Sequence, residues 1–84
     1  MSQAETLITT ERLGQRLCRL RKERQLTLSA LAKRSGVTTA ELQDIERGRV
    51  TDPELLVGMR LAEALCVDAE YLAFGLRLDI RRRS

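Results

Sequence analysis

Residues 26–48 read LTLSALAKRSGVTTAELQDIERG, and the spacing within this stretch decides the fold. Apolar residues recur at helical intervals on both sides of Gly36, a residue type that readily adopts the left-handed backbone ending many helices. Only Val37 and Thr38 separate Gly36 from the next periodic run. The pattern predicts two short helices joined by a tight turn, although ordinary helical hairpins contain similar turns.

Polar residues at the ends of this pair predict where each helix begins and ends. Thr27 can cap the first of the two, because its hydroxyl can accept a hydrogen bond from an unpaired backbone N–H. Thr38 and Glu41 belong to a T-T-A-E capping-box pattern, so the next helix is expected to start near Thr39. Gly48 is expected to end it.

Another helix is expected before this pair. Thr9 or Thr10 can cap it, and leucines at helical spacing extend it to about Arg24, with the intervening arginines on the surface. The apolar positions of these three helices predict one shared core. Its expected members are Leu13, Leu17, Leu20, Leu28 or Leu31, Ala32, Val37, Leu42 and Ile45.

Two more helices are expected after the pair. Asp52 as cap and Pro53 as first helical residue begin the fourth helix, which runs to about Leu65. Asp68 caps a short fifth helix that Gly75 ends. The expected core residues here are Leu56, Met59 or Leu61, Ala62, Leu65, Tyr71, Leu72 and Phe74.

The tail after Gly75 changes its period. Leu76, Leu78 and Ile80 alternate with charged residues, which predicts a short strand; a frayed basic end is the alternative. A lone strand needs a partner for its backbone groups, and the same tail in a second copy can supply one. Tyr71, Phe74, Leu76, Leu78 and Ile80 are therefore the candidate dimerisation residues.

These elements make an all-α chain with one optional terminal strand. We divide its 84 residues into an N-terminal arm over 1–10, a helical domain over 11–75, and a basic tail or dimerisation strand over 76–84. A chain of this size holds one domain with a small core, for which an oligomer interface is a reasonable addition.

Composition excludes several classes of function. The chain contains no histidine, so histidine-based triads and zinc sites are excluded, and we expect no cofactor or metal. Cys18 and Cys66 are better read as reduced thiols than as one disulfide. Apolar runs are too short for a membrane span and no signal peptide is recognisable, which predicts a cytoplasmic protein without membrane contact. A binding module is favoured over an enzyme.

Charge is unevenly distributed around a net value of +3. Residues 11–25 carry six basic and two acidic side chains, and residues 77–84 carry four arginines and one aspartate. Residues 37–76 carry eight acidic side chains and three arginines. Basic ends are compatible with a nucleic-acid partner, although solvated helix faces have the same appearance.

Residues 13–65 resemble the Cro/phage-repressor (XRE-type) helix-turn-helix family. The matching segments are LGQRLCRLRKERQLTLSALAKRSGV, LQDIERGRVTDP and LAEAL. The resemblance implies a five-helix, lambda-repressor-like fold that binds double-stranded operator DNA, usually as a homodimer, with its third helix in the major groove.

The resemblance also implies roles for individual residues. Arg21 and Glu46 match a buried structural ion pair between the first helix and the end of the third. Positions that usually meet base edges hold Thr39, Ala40 and Asp44, with Thr38 and Gln43 next to them. Positions that usually meet phosphates hold Thr27, Arg47, Arg49 and Thr51.

Two positions depart from the family pattern. Leu28 stands where the family commonly has a glutamine that helps clamp DNA. The third helix, which the resemblance makes the recognition helix, is acidic, with Glu41 and Asp44 preceding its first basic residue, Arg47. Glu41 is interpreted as the capping partner of Thr38. Asp44 is favoured as a reader of cytosine, with repulsion from phosphates as the alternative.

These observations predict a cytoplasmic, dimeric, sequence-specific DNA-binding transcriptional regulator that occludes a promoter or contacts RNA polymerase. The alternative is an antitoxin-like protein-interaction module whose DNA binding is secondary. The acidic third helix of this chain and its Leu28 favour that alternative.

Overall fold

The computed structural model describes residues 11–76, which form five α-helices. The helices are α1 (Leu13–Glu23), α2 (Leu28–Ser35), α3 (Thr39–Glu46), α4 (Leu55–Leu65) and α5 (Ala69–Phe74). The predicted all-α, five-helix class is confirmed. The expected N-terminal arm and residues 77–84, including Leu78 and Ile80 of the expected strand, lie outside the described residues.

One leucine-rich core joins the five helices. Helix α1 packs on α3 and α5, while α2 packs on α3 and α4. Helices α1 and α3 approach closely at Gly14, where a Cβ atom would collide with the carbonyl oxygen of Ile45. Only glycine therefore fits where α1 crosses the end of α3. The buried apolar residues are Leu17, Leu20, Leu31, Val37, Leu42, Ile45, Leu61, Ala62, Ala64, Leu65 and Leu72.

The turn between α2 and α3 has the predicted geometry. Gly36 ends α2 in the left-handed conformation, with φ of +80°. Thr27 Oγ1 accepts the backbone N–H of Ala30 at 3.0 Å. At the start of α3, Thr38 Oγ1 accepts the Glu41 N–H at 3.1 Å, and the Glu41 carboxylate accepts the Thr38 N–H at 3.4 Å. Both predicted caps are confirmed.

Two predicted helix starts are wrong. Helix α1 begins at Leu13 with Arg12 as its cap, where Gln15 Oε1 accepts the Arg12 N–H at 2.9 Å, and not after Thr9 or Thr10. Helix α4 begins at Leu55, with Glu54 as its cap in place of the expected Asp52 and Pro53. Glu54 has an extended backbone, with ψ of 150°, which keeps Pro53 in the preceding loop.

The core prediction is wrong for Leu56 and Phe74, whose exposed fractions are 56% and 66%. Of the alternatives Met59 and Leu61, the buried residue is Leu61. At 3.6 residues per turn, the buried Leu61, Ala62 and Leu65 occupy one face of α4 and put Leu56 and Met59 on the opposite face. Helix α4 is therefore apolar on both faces.

Candidate nucleic-acid interface

The Arg21–Glu46 ion pair fixes the end of α3 against α1. Arg21 Nε and Nη2 donate to the two Glu46 carboxylate oxygens at 2.8 and 3.1 Å. Arg21 Nη1 donates to the carbonyl of Leu26, in the link that leads into α2, at 2.8 Å. The two charged side chains are only 12% and 11% exposed, and hydrogen bonding to Glu46 raises the pKa of Arg21. One arginine thus connects α1 with the end of α3 and with the link that leads into α2.

Core packing sets which side of α3 faces outward. Leu42 and Ile45 are fully or almost fully buried. The opposite side, by helical spacing, carries Ala40, Gln43 and Asp44 and continues to the cap residue Arg47. We call this surface the recognition face. Ala40, Gln43 and Arg47 are exposed, and Asp44 is partly exposed.

The other predicted contact residues lie at the ends of helices or in the loop after α3. Thr27 caps α2, while Thr38 and Thr39 lie at the start of α3. Arg49 and Thr51 belong to the loop between α3 and α4. All five side chains are exposed, so they are sterically available to a ligand.

A second link that the sequence pattern did not predict joins Asp44 to Arg49. The backbone N–H groups of Arg49 and Val50 both donate to the Asp44 carbonyl, at 2.8 and 3.2 Å. The Arg49 guanidinium then lies 3.5 Å from Asp44 Oδ1. The only sequence signal was the Gly48 between them, which permits the chain to turn back with φ of +82°.

A cluster of charged and hydroxyl groups attaches α5 to α1. Arg19 Nη2 donates to Tyr71 Oη at 2.6 Å, and Arg19 Nε donates to the Glu11 carboxylate at 2.8 Å. Arg16 Nε donates to the Tyr71 carbonyl at 3.2 Å, and both terminal nitrogens donate to the Glu11 carbonyl at 2.9 Å. We call these four residues the α1–α5 cluster.

The position of Arg16 overturns the expectation that the arginines of α1 lie on the surface. Arg16 is 2% exposed, and burial lowers its pKa. Backbone carbonyls of Glu11 and Tyr71 satisfy its donors, which makes that burial tolerable. The sequence carries no signal for this contact, because both acceptors are backbone atoms and the Tyr71 carbonyl lies 55 residues away along the chain.

Large apolar side chains are exposed on α4 and at the end of α5. Leu55, Leu56, Met59 and Phe74 are between 51% and 78% exposed, and we call them the α4–α5 apolar face. A groove beside Phe74 is also lined by Leu13, Leu55 and Met59. Leu55, Met59 and Phe74 thus share one exposed apolar groove, and exposed apolar surface of this kind is typical of interaction sites in soluble proteins.

Within residues 11–76, no cluster of histidine, cysteine and carboxylate side chains could hold a metal ion. Both cysteines are unpaired, with Cys18 partly buried and Cys66 exposed. Cys66 occupies the left-handed position that ends α4, with φ of +60°. None of the five described helices is long and apolar enough to cross a membrane.

The sequence profile of a family described as a helix-turn-helix domain matches residues 12–75. The transcriptional repressor RghR of Bacillus subtilis is 41% identical over 64 residues, which cover 76% of this chain and 47% of RghR. The chain thus spans about half the length of this curated relative.

Solved structures give the same grouping. The biofilm regulator SinR in complex with DNA is 35% identical, with a TM-score of 0.69, over 71% of this chain and 95% of that one. A structure of the SinR DNA-binding domain from Bacillus subtilis matches equally well over 87% of its length. The restriction-modification controller protein C.AhdI of Aeromonas hydrophila is 33% identical, with a TM-score of 0.67, over 71% of this chain and 89% of its own.

Proposed function

Because the chain belongs to the helix-turn-helix family, in its XRE/Cro type, we propose that it is a sequence-specific, double-stranded DNA-binding transcriptional regulator acting as a dimer on a two-fold-related operator. The observation that carries this proposal is the recognition face on α3. Its residues Ala40, Gln43 and Asp44 point away from a core and an ion pair that hold the helix in place. The 35% identity to SinR, solved with DNA, supports the same reading.

In this proposal α3 enters the major groove. Thr39, Ala40 and Asp44 meet base edges, and Thr38 and Gln43 lie beside bases or backbone. A carboxylate can accept a hydrogen bond from cytosine N4, and a small side chain such as Ala40 can contact a thymine methyl group. These are contacts of sequence readout, so substitutions here are expected to change base preference.

Phosphate contacts are assigned to Thr27, at the start of α2, and to the residues that follow α3. Backbone N–H groups at the start of α2, next to Thr27, favour an anion because the helix dipole is positive there. Arg47, Arg49 and Thr51 follow the recognition helix and are exposed. Such contacts position a protein on the duplex and add salt dependence without reading sequence.

The acidic character of α3 is less of an obstacle than its sequence suggests. The Glu41 carboxylate accepts the Thr38 N–H in the capping box, so it stays at the helix start. Asp44 pairs with Arg49. Both carboxylates thus have partners of opposite polarity, which reduces their repulsion of phosphates.

Dimer formation is supported by the α4–α5 apolar face. Burying exposed leucine, methionine and phenylalanine side chains against a second copy removes apolar surface from water. Phe74 lies two residues before Leu76, where the predicted dimerisation tail begins. In a two-fold dimer whose recognition helices enter successive major grooves, those helices would lie about 34 Å apart, one turn of DNA.

A second candidate is an antitoxin-like interaction module, for which the α4–α5 apolar face is the specific observation. The same face could receive another protein, and SinR has been solved in a complex with SinI. Leu28 also replaces a polar DNA contact.

For the DNA-binding regulator, the favoured mode of action is occlusion of a promoter in the cytoplasm, with or without contact to RNA polymerase.

Selection of bound sequences from a random duplex pool, followed by affinity measurements at several salt concentrations, tests the proposal. A DNA regulator should enrich a two-fold-related sequence, and the logarithm of its affinity should fall steeply with the logarithm of salt concentration. Enrichment of no sequence, with salt-independent or absent binding, would instead favour the interaction module.

A further inference from the structure

The Asp44–Arg49 link suggests how the acidic recognition face is used, on the premise that the protein binds DNA as proposed above. We propose that Asp44 is a positioning residue for Arg49. Asp44 holds the guanidinium against the recognition face, and Arg49 supplies the donors that contact DNA. The two residues then act as one unit, in place of an independent cytosine reader and an independent phosphate contact.

Backbone hydrogen bonds fix the position of Arg49 relative to Asp44. Arg49 and Val50 both donate to the Asp44 carbonyl, at 2.8 and 3.2 Å, so the loop after α3 is folded back onto the helix. Gly48 permits this turn with φ of +82°. Since two hydrogen bonds fix the base of the Arg49 side chain relative to Asp44, their pairing does not depend on a chance meeting of flexible side chains.

Hydrogen-bonding capacity carries the second step. A guanidinium has five N–H donors in a planar fork, and only Nη1 of Arg49 faces Asp44, at 3.5 Å from Oδ1. Among residues 11–76 its remaining donors have no hydrogen-bond partner, so they can meet acceptor oxygens and nitrogens of DNA. Two sources offer them: phosphate oxygens and the O6 and N7 atoms of guanine. Holding the fork in one orientation lowers the entropy lost when it binds either.

Exposure carries the third step. The side chains of Arg49 and Asp44 are 66% and 43% exposed, so their ion pair contributes little to folding. The free energy of unfolding should therefore be almost unchanged when either residue is replaced. An effect of Asp44 on DNA binding that depends on Arg49 would then report positioning and would have no origin in altered stability.

A double-mutant cycle tests the proposal. Wild type, Asp44→Asn, Arg49→Ala and the double variant are titrated against the duplex selected by the wild type and against an unselected duplex. With Arg49 present, Asp44→Asn should weaken binding to the selected duplex. With Ala at position 49, the same substitution should leave binding unchanged or tighten it, because only a negative charge is lost. The two fold-changes should differ by about 3- to 30-fold.

The pattern of loss identifies the acceptor. If Arg49 meets a phosphate, Arg49→Ala weakens binding to both duplexes equally and lowers the salt slope by about one. If it reads guanine, the loss falls on one base pair of each half-site. Coupling to Asp44 in either pattern supports the proposal. Equal fold-changes for Asp44→Asn in both backgrounds would overturn it, leaving Asp44 as an independent reader or a source of repulsion.

Arg47 provides the matched control. It is exposed, lies three positions after Asp44, and has no ion pair among residues 11–76. A cycle of Asp44→Asn with Arg47→Ala should be additive, and the same coupling there would overturn a specific role for Arg49. Unfolding temperatures of all variants should agree within about 1–2 °C. A wild-type protein that binds neither duplex would overturn the proposed function itself, whereas additive effects on a protein that binds would overturn only this inference.

Discussion

The recognition face and the α4–α5 apolar face are both exposed, yet different interactions hold them in place. Arg21 and Glu46 hold the end of α3 through a bidentate contact between side chains that are 12% and 11% exposed. The α5 end of the apolar face is attached to α1 by the buried Arg16, which donates to the Tyr71 carbonyl, and by the ion pair of Arg19 with Glu11, whose side chains are 38% and 25% exposed. Removing one partner of a buried ion pair costs more than removing one partner of an exposed pair, so we expect the recognition face to depend more strongly on its ion pair.

The largest expected effect is that of Arg21→Ala. It leaves the Glu46 carboxylate without its partner and removes the donor to the Leu26 carbonyl, so we expect a loss of about 3–5 kcal/mol in the free energy of unfolding. Urea titration measures this directly. Lys22→Ala, at the exposed neighbouring position, should change it by less than about 0.5 kcal/mol. Similar changes in the free energy of unfolding for the two variants would mean that the Arg21–Glu46 pair does not stabilise the domain.

The second prediction concerns the α4–α5 apolar face. Leu55→Ser together with Met59→Ser should weaken dimerisation about 10- to 100-fold, because two side chains of about 1.5–3 kcal/mol each lose part of their burial. Sedimentation equilibrium measures the change. Both residues are more than half exposed, so stability of the monomer should remain within about 0.5 kcal/mol. Glu63→Ser, exposed on the same helix, is the control. An unchanged dimer would exclude this face as the interface.

Sequence reasoning was more successful for the α2–α3 motif than for the α4–α5 apolar face. Thr27, Gly36 and Thr38 act within three or four residues of themselves, and local hydrogen bonding is visible as spacing. Periodicity predicts Leu56 and Phe74 in the core, because it identifies an apolar residue without indicating which of two apolar sides of a helix is covered. The prediction that Arg16 lies on the surface is wrong for a related reason, since its acceptors are the backbone carbonyls of Glu11 and Tyr71.

The candidate site shows the same limit. The exposed positions of α3 follow from the burial of Leu42 and Ile45, which their spacing predicts. The Asp44–Arg49 link does not follow from residue spacing, because it depends on the conformation of the loop after α3 has ended. Contacts across turns require the path of the backbone, and only a cap motif or a glycine hints at that path in sequence.

The third prediction separates two routes to the dimer. Truncation after Gly75 removes Leu76 and the predicted strand but leaves Phe74 and α4 in place. If strand pairing contributes, the shortened protein should dimerise about tenfold more weakly, a loss of about 1.4 kcal/mol. Sedimentation compares it with the full chain and with the Leu55→Ser, Met59→Ser variant. Equally tight dimerisation after truncation would exclude the strand and leave the apolar face as the interface.

The smallest expected effect lies in the α1–α5 cluster, and it depends on pH. Hydrogen bonding to Arg19 lowers the pKa of Glu11 below its ordinary value in the folded protein. A depressed carboxyl pKa contributes stability that is present above the pKa of the unfolded chain and is lost as pH falls through the folded value. Glu11→Gln should therefore reduce the free energy of unfolding by about 0.5–1 kcal/mol at pH 7.

That difference between Glu11→Gln and wild type should shrink as pH falls below about 4, where the unfolded carboxyl is protonated, and vanish once the folded carboxyl is protonated as well. Urea titrations at pH 7 and near pH 3 measure it. Glu23→Gln is the matched control, because its carboxylate also contacts Arg19, at 3.0 Å, but is 53% exposed. A loss that persists unchanged at low pH would mean that the charge of the Glu11 carboxylate does not cause it, since the substitution leaves the backbone carbonyl that Arg16 binds in place. The ion pair of Arg19 with Glu11 would then contribute nothing to the free energy of unfolding, whereas the ion pair of Arg21 with Glu46 is expected to contribute several kcal/mol.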